Sequence, residues 1–182
     1  MILPPLAEGE LFIGVSVAVP DPYRGQLADA RARFGDPAAG LVPPHVTLLG
    51  PTRVRRDDLA GVDAHLTTVA TRHRGFGLRL AGAATFRPVS PVVFVQVVEG
   101  GPSCAALADD LRDGPLAQSL RFEYHPHVTV AQGVSDDLLD AALAGMSDYA
   151  AAFGVTEFFR YEHGTDGLWR PARTFALATE PV

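Results

Sequence analysis

Residues 43–51 read Pro-Pro-His-Val-Thr-Leu-Leu-Gly-Pro, and residues 126–131 read Pro-His-Val-Thr-Val-Ala. Both runs are β-prone, and both contain the tetrapeptide Pro-His-Val-Thr. In a strand, residues i and i+2 point to the same face. His45 and Thr47 therefore project together, with Val46 and Leu48 turned to the core. His127 and Thr129 do the same in front of Val128 and Val130.

The flanks of the first tetrapeptide predict alternating elements. Residues 11–19 form an apolar, β-branched run, a strand that ends at Pro20. Asp21-Pro22 opens a helix through Leu27, Ala30 and Phe34 to a stop at Gly35. A short strand spans 46–49. Leu59, Val62, Leu66, Val69 and Ala70 have helical spacing within 57–73. Phe76, Leu78 and Leu80 alternate as in a half-buried strand, and 92–98 is apolar enough for a central one.

The second tetrapeptide has similar flanks. Residues 103–120 read as helical, with Gly114-Pro115 as a break or kink. A short strand covers 128–131. A helix covers 135–153, with Ser135 at its N-cap position and acids in its first turn. Strands at 155–161 and 174–178 close the chain around the turn-like residues 164–167. Both halves run helix, short strand, helix, long strand. The expected fold class is α+β, as two lobes related by an approximate two-fold.

Composition narrows the function. At 47% hydrophobic and 20% charged, the chain can bury a sizeable core. All 15 cationic residues are Arg, so any cation on a phosphate is a planar guanidinium fork. A net charge of −6 argues against coating long nucleic acid, which needs a broad basic surface. Residues 1–91 hold 10 Arg against 8 acids, and residues 92–182 hold 5 against 13. A small anion can thus find a locally positive cleft on the first half. The single cysteine, Cys104, reads as a half-buried thiol and permits no intrachain disulfide. Residues 1–9 lack a basic leader, and no apolar run reaches the ~18 residues of a membrane span. A cytoplasmic protein with no membrane partner is expected.

A lone His-x-Thr is weak, since chance supplies about 0.4 in a chain of this make-up. Four occur. His65-Leu66-Thr67 lies in a helical pattern, where residues two apart do not face each other. His163-Gly164-Thr165 lies beside a Gly-rich turn and reads as loop. The two matched tetrapeptides remain. If their lobes face each other, two imidazoles meet across a site, each beside a hydroxyl.

That set suits phosphoryl transfer. Imidazole titrates near ~6.5, so one ring can take a proton while the other gives one, each role worth ~10² to 10⁴ in rate. The threonine hydroxyls can donate to phosphate oxygens as charge develops. Metal ligation is the competing use. No H-E-x-x-H or Cys/His set accompanies the histidines, and their neighbours are hydroxyls rather than carboxylates. No metal and no cofactor are expected.

The paired motifs His45-Val46-Thr47 and His127-Val128-Thr129 resemble the signature of the two-histidine (2H) phosphoesterase superfamily, nearest its bacterial 2′-5′ RNA ligase and cyclic nucleotide phosphodiesterase branch. The likeness extends to the opening strand, the Gly-x-x-x-Phe segment at 82–86, the strand at 92–98 and Asp166-Gly167-x-Trp169. It implies one domain over 1–182, made of two intertwined lobes, one carrying 45–47 and the other 127–129. Antiparallel sheets would surround a central cleft, with helices outside. It implies metal-free hydrolysis of 2′,3′-cyclic phosphates to 2′-phosphates, or making and breaking of 2′-5′ linkages. His45 and His127 would exchange protons, and Thr47 and Thr129 would hold the phosphate. Family members often carry Arg just after the second motif, where this chain has Gln132.

Further candidates are suggested by position. His125 precedes His127 by two residues and can tune it or touch substrate. Phe86 and Trp169 can stack on a base, as aromatic faces tolerate any base. Arg53, with Arg55 and Arg56, can steer an anion. Tyr124 reads as packing. The expected partner is a small cyclic-phosphate nucleotide or an RNA end, met by a monomer. The alternative is a module that binds such a group through the same four residues without turnover.

Overall fold

The structure, a computed structural model, describes residues 3–179. Strands β1 (Glu10–Ala18), β2 (His45–Arg55), β7 (Glu157–His163) and β8 (Trp169–Ala176) form one sheet in the order β2-β1-β7-β8. Strands β3 (Phe76–Thr85), β4 (Val92–Glu99), β5 (His127–Gln132) and β6 (Ala150–Val155) form the other in the order β5-β4-β3-β6. Every ladder within these sheets is antiparallel. The α+β class is as expected.

Each motif strand is the edge of its sheet, and the two edges approach one another. An edge position tolerates Pro51, which has no N–H to give a ladder. β2 therefore runs on to Arg55 where a stop at Leu49 is expected from Gly50-Pro51. Both motif strands also carry a bulge one residue past the threonine. Ser16 faces Thr47 and Val15 faces Leu49, leaving Leu48 extra; Phe94 faces Thr129 and Val93 faces Ala131, leaving Val130 extra. The bulge turns two successive residues inward, so Leu48–Leu49 and Val130–Ala131 are all buried. The repeated sequence thus produces a repeated backbone irregularity.

The helices cross between halves. Helix α1 (Tyr23–Arg33) precedes β2 but packs on β5, and α3 (Gly101–Leu111) precedes β5 but packs on β2. Helix α2 (Leu59–Arg72) lies against α3 and β8, and α4 (Asp136–Gly145) against β3, β4 and β5. Buried residues recur at helical spacing, as in Val62, Leu66, Val69 and Ala70 of α2, and Cys104, Leu107, Ala108 and Leu111 of α3. Cys104 is fully buried rather than half-buried. No helix among the described residues is long and apolar enough to cross a membrane.

Two expected helices stop early. α3 ends at Leu111; a 3₁₀ turn comes next at Gly114–Leu116, with Gly114 at positive φ and Pro115 near its start. Residues 117–126 then run without regular structure along the edge of β2. α4 ends at Gly145, and 150–155 pairs with β3 as strand β6. Ser135 does precede α4, but its side chain makes no capping hydrogen bond. The strand expected at 155–161 is broken at Thr156, where the chain passes from one sheet to the other.

Candidate active site

The bulged edge strands bring His45, Thr47, His127 and Thr129 to one cleft. Thr47, Thr129 and Gln132 line both of two adjoining cavities, with His45 in the first and His127 in the second. All four motif side chains are half-buried, while Val46 and Val128 behind them are fully buried. His65 is elsewhere, with Nε2 at 3.3 Å from the Leu111 carbonyl between α2 and α3. His163 ends β7 rather than sitting in a loop, its ring 5.1 Å from that of Trp169.

Both imidazoles are oriented in the same way. His45 Nδ1 lies 2.7 Å from the Pro43 carbonyl, and His127 Nδ1 lies 2.7 Å from the His125 carbonyl. A carbonyl only accepts, so each Nδ1 carries the proton and each Nε2 is left to accept in the neutral ring. Thr47 Oγ1, 3.1 Å from His45 Nε2, therefore donates to it. This pairing of Nδ1–H with the carbonyl two residues back is a second local feature that the repeated tetrapeptide repeats.

Burial sets the protonation state. Desolvation, partly offset by the Pro43 hydrogen bond, pushes the His45 pKa down to about 4; the nearby Arg31 and His127 charges push the same way. Desolvation also lowers His127, against the His125 carbonyl, with His125 itself adding repulsion. Both rings are neutral near pH 7 in the free protein.

Two residues of the site escaped the sequence, and a third was read only as packing. Arg31 is 3% exposed and lines the His45 cavity. Its guanidinium donates to Asp36 from Nε (3.0 Å) and Nη2 (2.9 Å), and to the Val42 carbonyl from Nη1 (3.0 Å). The available signal was an Arg on the apolar face of a helix, with Gly35-Asp36 just beyond its end. Arg112 and Tyr124 are the others. Tyr124 donates its hydroxyl to the Thr47 carbonyl at 2.8 Å, and Arg112 Nη1 donates to the Leu48 carbonyl at 3.3 Å. An edge strand has unpaired carbonyls, and these two side chains satisfy them at the motif itself. Tyr124 thus does more than pack. Tyr124→Phe leaves the Thr47 carbonyl without that donor, which costs about 1–3 kcal/mol. The expected result is a lower urea midpoint in chemical denaturation; an unchanged midpoint would show that solvent replaces the phenol.

The other candidates divide. Phe86 stands edge-on to His125 and His127, at centroid distances of 5.5 and 5.0 Å, and against Phe94 at 4.2 Å. His125 is exposed and lines the same cavity. Trp169 walls the His45 cavity. Arg53 does not join the cleft. It lies eight residues beyond His45 on an extended strand and pairs with Glu10 at 3.8 Å. At ~3.3 Å per residue that is roughly 26 Å away along β2, too far for a guanidinium to reach back. Arg55 lies still further on, in an exposed pair with Asp57.

The family model described as "2'-5' RNA ligase superfamily" matches residues 19–167, which include both motifs and the strands between them. The chain belongs to the 2′-5′ RNA ligase superfamily. It is 30% identical over 151 residues to a Bacillus cereus (strain AH820) protein named "Putative phosphoesterase", covering 81% of this chain and 86% of that protein. Its fold matches E. coli LigT crystallised with NADP+ at a TM-score of 0.71 and 23% identity, covering 92% of this chain and 98% of LigT. LigT crystallised with 3'-AMP gives 0.70 at 21% identity, over 93% and 99%. Superfamily membership supports phosphoester chemistry in general terms for this chain.

Proposed function

We propose that the chain hydrolyses 2′,3′-cyclic phosphates of a nucleotide or RNA end to 2′-phosphates by acid–base catalysis between His45 and His127. The observation that carries this is the convergence of two His-Thr pairs from opposing edge strands on one cleft. In this scheme one Nε2 accepts the proton of the attacking water as the other donates to the departing ribose oxygen. Thr47 and Thr129 donate to the non-bridging oxygens, where charge grows. The Thr47 hydroxyl that rests on His45 Nε2 in the free protein turns to phosphate on binding. Phe86 offers a face for the base, with His125 beside it, and the braced imidazoles need no further group to orient them.

The test is turnover of a 2′,3′-cyclic nucleotide in excess EDTA, with the product identified as the 2′- or 3′-phosphate. No turnover, or turnover only on adding a divalent ion, sinks the proposal. Tight phosphate binding with no product would point instead to the non-catalytic module.

The two lowered pKa values set the pH dependence. The base works deprotonated, so activity rises as pH passes about 4, where His45 loses its proton. The acid works protonated, so activity falls above the His127 pKa, which lies below the ordinary ~6.5. The kcat/KM profile should be a bell with its maximum between those limits, and both limbs are the same whichever ring takes which role. Bound phosphate favours imidazolium, so the alkaline limb of kcat should lie higher than that of kcat/KM. Steady-state rates from pH 3.5 to 9 check this; a kcat/KM optimum above 7 would contradict it.

A further inference from the structure

His45 takes its orientation from the Pro43 carbonyl, so whatever fixes that carbonyl fixes the ring. Residues 36–44 carry it, and they form turns and bends without a helix or strand. Pro37, Pro43 and Pro44 have no N–H, which removes backbone donors next to the motif. A side chain supplies the tie instead. Arg31 Nη1 donates to the Val42 carbonyl at 3.0 Å, one residue before Pro43. On the other side of Pro43, the Val19 N–H donates to the Pro44 carbonyl at 3.2 Å. Asp36 holds Arg31 through Oδ2 and accepts from the Ala38 N–H through Oδ1 at 2.8 Å. The ion pair therefore spans the loop from its first residue to Val42. The same loop gives its Leu41 carbonyl to the Trp169 N–H at 2.9 Å.

Both members of the pair are buried, Arg31 at 3% and Asp36 at 4% exposure. Burying two ions costs their hydration, and an apolar pair of similar volume is often as stable or more so. Stability is thus a poor reason for the pair to be there. Steering an anion is another poor reason, because Asp36 matches the charge and three of the five guanidinium N–H groups are engaged. Holding one backbone conformation is a use that a buried, forked ion pair serves well.

A second buried guanidinium acts beyond the ring. Arg112 donates to the Leu48 carbonyl. Val42 and Leu48 lie three residues before and three after His45, so two cations bracket the first motif. The second motif has no such bracket. The His125 carbonyl, which holds His127 Nδ1, belongs to the irregular segment 117–126. His125 is exposed, and among the described residues no backbone hydrogen bond ties 118–126.

We infer that Arg31, with Asp36, is a positioning residue that holds His45 in its working orientation, and that the two rings are mechanically unequal. His45 is fixed before substrate arrives, and His127 is the ring that adjusts. The inference rests on the acid–base reading of His45 above, but its structural half is measurable without substrate.

The experiment reads the rings directly. NMR of the imidazole nitrogens in the histidine-labelled full chain reports which nitrogen of each neutral ring carries the proton. Arg31→Lys keeps the charge but loses the fork. Arg31→Met combined with Asp36→Asn removes both charges and keeps an acceptor for Ala38. In both, His45 should pass from a single Nδ1–H form to a mixture of tautomers, while His127 stays as in wild type. On 2′,3′-cyclic AMP, kcat should fall about tenfold to a hundredfold with KM within about twofold, the cost of a misplaced catalytic group. Asp63→Ala is the control. It breaks a different buried contact, with Arg160 and Arg173, and should leave the His45 tautomer and kcat unchanged. An unchanged His45 tautomer in the folded Arg31 variants, an unchanged kcat where the tautomer has changed, or equal mixing in Asp63→Ala overturns the inference. Should neither Arg31 variant fold, wild type decides: the His45 Nδ1 proton should exchange with solvent about tenfold or more slowly than that of His127, and equal rates overturn the inference. No turnover by wild type removes the phosphodiesterase reading alone, and the ring measurements still decide whether Arg31 fixes His45.

Discussion

Changing His45 or His127 to Ala should each lower kcat/KM on a 2′,3′-cyclic nucleotide by about 10²- to 10⁴-fold, the value of one general acid or base. The fold should survive both changes. Each ring is half-buried, and its Nδ1 bond runs only to a carbonyl two residues back. At His127 the edge-on contact with Phe86 and the tilted one with Phe94 go, but those two rings still pack on each other. The double variant should be little worse than the weaker single one, because the two rings act as a unit on one proton-transfer cycle. Residual rate would come from phosphate held by Thr47 and Thr129. Single-turnover assays on folded variants check this. A double variant that keeps a tenth of wild-type activity would remove these histidines from the mechanism.

Asp63→Ala should cost about 3–5 kcal/mol of stability, toward the lower figure, out of the ~5–15 that such a domain has. Asp63 lies on α2 and is 8% exposed. It accepts from Arg160 of β7 at 2.8 Å and from Arg173 of β8 at 2.9 Å, fastening α2 to the sheet. Arg160 is itself 5% exposed, so losing Asp63 strands a buried cation. Glu162, 2.6 Å from Arg160 Nη1, compensates in part, which is why the lower figure is expected. Desolvation has already been spent on this pair, so the loss on breaking it exceeds what an exposed ion pair would contribute. Urea denaturation measures the change. A loss under about 1 kcal/mol would mean that solvent or Glu162 takes over completely.

Where the sequence was legible, the reason is local. The i, i+2 rule placed His45 with Thr47 and His127 with Thr129, apolar spacing located α1 and α2, and start signals such as Ser135 with the acids after it located α4. Termini were less legible. The 135–153 run is rich in Ala and Leu but is interrupted by Gly145, Ser147 and Asp148, and beyond them 150–155 becomes β6, because pairing with β3 outweighs even the helical preference of alanine. The 103–120 run fails at Gly114-Pro115 as anticipated, but nothing local says that residues 117–126 would be needed to cover β2. Arg53 comes soon after the first motif in sequence and looked available; the extension of β2 through Pro51 carried it away from the cleft.

The sequence by itself determined the chemistry available: two imidazoles, two hydroxyls, a short β-prone frame for each pair, and only guanidinium as a cation. Those are properties of neighbouring residues and of strand periodicity. Only the tertiary structure decided that both frames are sheet edges facing each other, that Arg112 and Tyr124 occupy the free carbonyls of one of them, and that Trp169 walls the His45 side of the cleft. Such facts depend on contacts between residues far apart in the chain, where Arg112 and Leu48 are separated by 64 positions. No window of local sequence contains both partners, so no local rule could have paired them.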